Sequence, residues 1–306
     1  MRTLVLGAGA IGGYFGGRLA EAGANVTFLV RPERQRKLAA NGLTVKSQLG
    51  DIQRPVTTVL ADAIKQPYDV VLLTCKAYDL DAAMDAIAPA MGPKSVALPL
   101  LNGLLHIDIL SARFGRERVL GGACYIGGML MPDGQIQHTN QAHTLIFGEI
   151  AGGPSARTDA IAAEFGKAKF KPVRSERIID DMWQKFVVLA SLAAMTTLMH
   201  ANVGEIMAAG EGEGLANAVL GEAEAVARAA GHPMSAEADT GARNMLMQRG
   251  SNFNASMRGD MERGGATEGD HVIGDMVRRG AKLGIATPIM RVALCNLQIH
   301  EMKRKK

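Results

Sequence analysis

Six glycines, Gly7, Gly9, Gly12, Gly13, Gly16 and Gly17, fall within eleven residues directly behind the apolar run TLVL. Within them Gly7-Ala8-Gly9-Ala10-Ile11-Gly12 has the spacing GxGxxG. Placed between a strand and a helix, that spacing builds a phosphate-binding turn. The first glycine allows the tight bend, the second lets the backbone approach a pyrophosphate, and the third lets the helix pack closely on the strand. The helix amino terminus then offers unpaired N–H groups and a positive dipole end. The stretch predicts a dinucleotide site formed by Gly7, Gly9, Ala10, Ile11 and Gly12, with Gly13, Gly16 and Gly17 left to packing. An NAD site usually carries an acid at the end of the second strand to bind the ribose 2′-OH. Here the run FLV ends on Val30-Arg31, and an arginine suits a 2′-phosphate, so NADP(H) is the expected cofactor. Arg34 can assist but reads as a surface arginine, and Glu33 falls inside the following helix.

Ligands of an open parallel sheet lie outside the carboxyl ends of its strands. Two further runs end on polar residues: DVVLLTCK delivers Thr74 and Lys76, and VALPLLNG delivers Asn102-Gly103. Alone, Lys76 reads as a solvated loop lysine and Asn102-Gly103 as an ordinary turn. They gain chemical meaning only beside residues of a second domain.

The elements that must hold these residues follow from the pattern. TLVLGAG, ANVTFLV, DVVLLTCK and SVALPL are short Val/Leu-rich runs, as expected of strands buried on both faces. Helical stretches alternate with them, which implies a doubly wound, mostly parallel α/β sheet. From about Arg118, RVLGGACYIGGMLM, QIQHT and HTLIFGE predict antiparallel strands finishing that sheet. Beyond Ser155 nearly everything reads helical, so the chain divides near Pro172 into an α/β domain (1–172) and an all-α domain (173–306).

At 306 residues the chain can bury two cores. Its formal charge of +4, with no basic run interleaved with aromatics, points to no nucleic acid. The terminal KRKK reads as a solvated tail. Three scattered cysteines without a CxxC suit a reduced, cytoplasmic setting. The longest apolar run, FVVLASLAAMTTLM, falls short of the roughly 18 residues of a membrane span and reads as a buried helix. His138 and His143 lack the spacing of a metal site, and His200, His271 and Trp183 read as structural. The helix GLANAVLGEAEAVARAAG is a candidate subunit contact should the protein be a homodimer.

Taken together, GAGAIGGYFGGRL, LLTCKAYDL, LLNG, MWQKF and NASMRGDMERGGATEGDHVIGDMVRRGAKLGIATP resemble the ketopantoate reductase (2-dehydropantoate 2-reductase) family over almost the whole chain. The resemblance implies a Rossmann domain followed by a helical domain, with catalysis in the cleft between them. It makes Lys185 the catalytic lysine, which protonates a 2-oxo acid carbonyl while NADPH delivers hydride. It places Glu268 beside that lysine and the cofactor, and Ser256 on the substrate carboxylate. Asn102 would contact both cofactor and substrate, and Lys76 the nicotinamide ribose. A cationic donor suits a carbonyl oxygen that gains negative charge in the transition state.

One departure bears on the substrate. In the family, asparagines four and eight positions after the lysine bind substrate from one helix face. Here those positions are Leu189 and Ala193, with no nearby asparagine to restore the pattern, and Gly269 replaces a usual aliphatic residue. The expected substrate is therefore ketopantoate or a related 2-oxo acid, with Leu189 and Ala193 favouring a less polar or bulkier substituent. Two other readings stay open: an NADP(H)-binding sensor without turnover, and an oxidoreductase acting on another carbonyl or imine.

Overall fold

The computed structural model describes residues 1–305. Two compact units are present. The first comprises Met1–Leu101 and His106–Ile179, and the second comprises Asn102–Leu105 with the chain from Asp180 onward.

The first unit runs β1 (Arg2–Leu6), α1 (Ala10–Glu21), β2 (Asn25–Leu29), α2 (Pro32–Asn41), β3 (Leu43–Lys46), β4 (Ile52–Arg54), β5 (Thr57–Val59), β6 (Val70–Leu73), α3 (Leu80–Ile87) and β7 (Val96–Pro99). There follow α4 (Leu105–Phe114, whose first residue groups with the second unit), β8 (Leu120–Leu130), β9 (Ile136–Glu149), α5 (Ala156–Phe165) and β10 (Lys171–Arg174). A wholly parallel Rossmann-like sheet has the order β5-β2-β1-β6-β7. Strand β6 is apolar throughout and all four of its residues are buried, because both faces of the sheet are covered there.

The strands after Arg118 do not finish this sheet, contrary to expectation. A single bridge, Ala97 to Val119, approaches it from just before β8. β8 and β9 pair antiparallel as expected, but in a second sheet of order β10-β9-β3-β4. The 14-residue β9 is long enough to serve three partners, taking β10 and β3 in parallel alongside β8. The expected border at Pro172 falls within β10, and the helical unit is delimited from Asp180.

α1 lies between the two sheets, and its glycine pairs explain how. A Cβ on Gly12 would strike Val5, Thr74 and the Gly7 carbonyl, and one on Gly16 would lie 2.8 Å from the Phe28 ring, all on the first sheet. One residue on, about 100° round the helix, a Cβ on Gly13 would strike Ile136 and one on Gly17 would lie 2.8 Å from Leu43, both on the second sheet. Spacing of four residues thus presents a smooth groove to each side.

The second unit contains α6 (Ile178–Met199, which begins at the border), α7 (Val203–Ala208), α8 (Gly212–Ala229), α9 (Ala236–Leu246), α10 (Ser256–Glu262), α11 (Gly269–Lys282) and α12 (Pro288–Arg304). α6 is long and apolar enough to cross a membrane by length and composition, yet two-thirds of that window (67%) is buried inside the protein. Its hydroxyls turn inward: Ser191, Thr196 and Thr197 donate to carbonyls four residues back at 2.6–2.8 Å. It ends where His200 adopts φ 50°, and Asn202 then caps α7 by accepting from the Glu205 amide at 2.8 Å. The apolar face of α8, including Val219, Leu220 and Val226, is buried inside the chain. At the carboxyl end Lys303 and Arg304 belong to α12 rather than to a tail, Lys305 follows it, and Lys306 lies outside the described residues.

Candidate active site

In the first unit, the apolar strand β1 ends at Leu6 and the chain turns at Gly7, where φ is +93°. The Gly7 amide donates to the Leu29 carbonyl at 2.9 Å, and Thr74 donates through Oγ1 to the Leu6 carbonyl at 2.8 Å. The ends of β1, β2 and β6 are thereby fixed together under the turn. Gly9 caps α1 with no side chain bonded to the helix amides and no acid in the first turn. At Gly9 the position a Cβ would take has no atom within 4 Å, whereas at Gly12 it is filled. An open glycine over unpaired helix amides is the cradle a pyrophosphate needs. The residues therefore fit a dinucleotide.

Arg31 follows β2 and stands at the start of α2 with its side chain 78% exposed, paired with Asp79 at 3.1 Å. Glu33 turns to Lys37 at 3.2 Å instead. Lys76 lies just past β6, at the head of the short turn Ala77–Asp79, with contacts of its own. Arg34 is not the surface residue expected. It is half-buried and donates to the Ala8 carbonyl from Nε at 3.0 Å and Nη2 at 2.7 Å, and to the Gly134 carbonyl from Nη1 at 2.8 Å.

In the second unit, the Lys185 ammonium donates to Asn102 Oδ1 at 3.3 Å, which unites two of the expected site residues. The turn is tight: Gly103 has φ +83°, and a Cβ there would lie 3.4 Å from the His271 carbonyl and 3.8 Å from Phe186. Trp183, two residues before Lys185 on α6, is 3% exposed. The indole stacks on His232 at 5.6 Å and faces the Arg279 guanidinium at 5.6 Å. His232 in turn bonds Asp180 at 2.6 Å, and Arg279 bonds Asp275 at 2.8 Å. These contacts fix the first turns of α6 against α11 and the segment after α8. Burial pushes the Asp275 carboxyl up, opposed by Arg279. Sequence reasoning placed Trp183 in the core, but nothing in the spacing disclosed its neighbours His232 and Arg279.

Glu268 is buried (7% exposed) at the head of α11. One turn on, burial pushes the His271 imidazole down, against the pull of Glu268 and Asp275, so the ring is neutral near pH 7. Ser256 is exposed as the first residue of α10. Leu189 is partly exposed one turn beyond Lys185, whereas Ala193 is sealed at 1%. From Ala190 to Thr197 every α6 residue is buried.

Two family patterns cover nearly the whole chain: "Ketopantoate reductase PanE/ApbA" matches residues 3–152, and its C-terminal counterpart matches residues 177–301. The chain belongs to the PanE/ApbA ketopantoate reductase family. It is similar to the uncharacterized oxidoreductase YkpB of Bacillus subtilis (strain 168), with 36% identity over 304 residues, 99% of this chain and 100% of that one. It is also similar to the solved PanE/ApbA family ketopantoate reductase of Ralstonia eutropha JMP134, at TM-score 0.90 and 27% identity over 100% of both chains. A D-mandelate dehydrogenase solved with NADH and anilino(oxo)acetate shares the fold, at TM-score 0.89 and 21% identity over 100% of both chains. The protein is thus an oxidoreductase of the 2-dehydropantoate 2-reductase type, and its cofactor is a nicotinamide dinucleotide.

Proposed function

We propose that this enzyme uses NADPH to reduce 2-oxo acids with apolar side chains to 2-hydroxy acids. The observation that carries the reading is the Lys185 ammonium held on Asn102 at 3.3 Å, followed on α6 by the half-buried Val188 and Leu189 before the buried run from Ala190 to Thr197.

When bound, the reduced nicotinamide supplies the hydride that reaches the carbonyl carbon. Lys185 gives a proton from Nζ to the carbonyl oxygen as charge develops there. Asn102 accepts one ammonium hydrogen through Oδ1 and so aims the others. Glu268 balances the lysine charge, and the Ser256 hydroxyl takes the substrate carboxylate. Gly7, Gly9, Ala10, Ile11 and Gly12 hold the pyrophosphate, and Lys76 the ribose beyond it. Arg31 selects the 2′-phosphate, because its exposed pair with Asp79 is worth at most about 1 kcal/mol and yields to a phosphate.

Leu189 would line the substrate side chain and Ala193 would lie beneath it. Neither can satisfy a hydroxyl, and a buried polar group left unpaired costs about 1–3 kcal/mol. The D-mandelate dehydrogenase of the same fold binds anilino(oxo)acetate, so the scaffold accommodates an aromatic substituent beside such a head group.

A panel of branched, aromatic and hydroxylated 2-oxo acids, assayed with NADPH and NADH, tests the reading. Apolar acids with NADPH should lead; ketopantoate as best substrate with a micromolar KM would defeat the substrate assignment. Lys185→Ala should lower kcat/KM by about 10²–10⁴-fold while dinucleotide affinity persists. A variant that keeps its turnover would remove Lys185 from the chemistry, and a wild type with no turnover would favour a sensor.

A further inference from the structure

We infer that Arg34 is a cofactor-positioning residue, which acts by gripping the Ala8 carbonyl so that the Gly9 amide is aimed at the dinucleotide pyrophosphate. This rests on the reading that the pyrophosphate docks at the turn Gly7–Gly12.

The geometry is that of a clamp. Nε and Nη2 of Arg34 both reach the Ala8 carbonyl, at 3.0 and 2.7 Å. In a trans peptide the C=O and the following N–H point in opposite directions. Holding the Ala8 oxygen toward Arg34 therefore sends the Gly9 N–H away from it. A free turn of three glycines would have many orientations for that amide, so fixing one removes an ordering cost from binding.

The clamp is itself anchored. Nη1 donates to the Gly134 carbonyl at 2.8 Å, in the turn between β8 and β9. Gly134 has φ +93°, and a Cβ there would lie 2.6 Å from Nη1, so the turn leaves room for the guanidinium. Lys37, one turn along α2, reaches the Pro132 carbonyl of the same turn at 3.4 Å.

Charge adds to position. Both acceptors of Arg34 are neutral carbonyls, and no described carboxylate pairs with it. Burial lowers its pKa somewhat, but a guanidinium stays charged at neutral pH. A half-buried cation without a counter-ion, next to the phosphate turn, favours an anionic ligand there. Arg31 differs: it is exposed, carries its own acid, and touches none of these carbonyls.

The two arginines make separable predictions for binding, read by nicotinamide fluorescence independently of turnover. Arg34→Gln should weaken NADPH and NADH by a similar factor, about 10- to 100-fold, since both carry the pyrophosphate. The ratio of their affinities should stay constant. Arg31→Ala should instead shrink that ratio. Arg34→Lys keeps the charge but not the bidentate grip, and should fall between wild type and Arg34→Gln. If Arg34→Gln does not fold, Arg34→Lys and Gly134→Ala, which crowds Nη1, carry the test.

Unchanged affinities in the folded variants would overturn the inference. A changed NADPH-to-NADH ratio in the Arg34 variants would also overturn it, because that marks a direct 2′-phosphate contact. Wild-type protein that bound neither dinucleotide would instead defeat the reading of the turn itself.

Discussion

The chemistry proposed for this enzyme turns on one helix face, where Lys185 is followed by Leu189 and Ala193. The two positions differ physically: Leu189 is partly exposed, whereas Ala193 is sealed at 1%. Leu189→Asn should therefore raise kcat/KM for hydroxylated over apolar 2-oxo acids by about 10-fold, the scale of one satisfied hydrogen bond. Ala193→Asn should gain no such preference and should lower stability by roughly 1–3 kcal/mol, because its amide enters a closed core. Steady-state kinetics and urea unfolding read the two effects, and a Leu189→Asn enzyme with unaltered preference would uncouple this face from selectivity. Lys185 and Asn102 were legible in the sequence because they sit in recognisable motifs. Arg34 was not, since a guanidinium that serves backbone carbonyls leaves no residue pattern to read.

Of the α1 glycines, Gly12 was legible as part of a phosphate turn and Gly13, Gly16 and Gly17 as packing residues, but what they pack against was not legible. Gly13 and Gly17 face a second sheet that the sequence did not disclose. Alternation and turn residues identified β8 and β9 as strands, yet which strands pair depends on contacts made far along the chain. The pairing of α8 with α9 was equally hidden. Burial, aided by a hydrogen bond that the protonated carboxyl donates to Asp239, pushes Glu224 from its ordinary 4.5 to about 7, and Arg243 opposes the shift. Asp239 is held below its usual range by that bond and by Arg243. A carboxyl whose pKa is raised on folding stabilises fully below its unfolded value and loses that contribution as pH rises through its folded value. The Asp239 contribution has the opposite sense and is lost only below about its ordinary 3.8. Between pH 5 and 8 the Glu224 effect governs. Wild type should then lose on the order of 1–2 kcal/mol relative to Glu224→Gln across that range. Urea unfolding at several pH values checks it, and a pH-independent difference would rule the pair out as the cause.

Across the whole molecule, two units carry separate cores, and the sequence predicted both from a change of pattern near the middle of the chain. Saturation with a ligand stabilises whatever fold binds it, by about 2.7 kcal/mol at a hundred times Kd. NADPH should accordingly raise the melting temperature by several degrees, and NADH at the same concentration by less. Equal shifts from the two would argue that Arg31 does not choose the cofactor.

The four residues Asn102–Leu105 group with the second unit although the chain on either side of them belongs to the first. For anyone recombining relatives of this enzyme, the units are therefore not interchangeable by a single cut. A chimaera joined at Ile179 would inherit Lys185 from one parent and its partner Asn102 from the other. Transplanting a substrate preference intact requires a second graft, four residues long, carried into the Rossmann half.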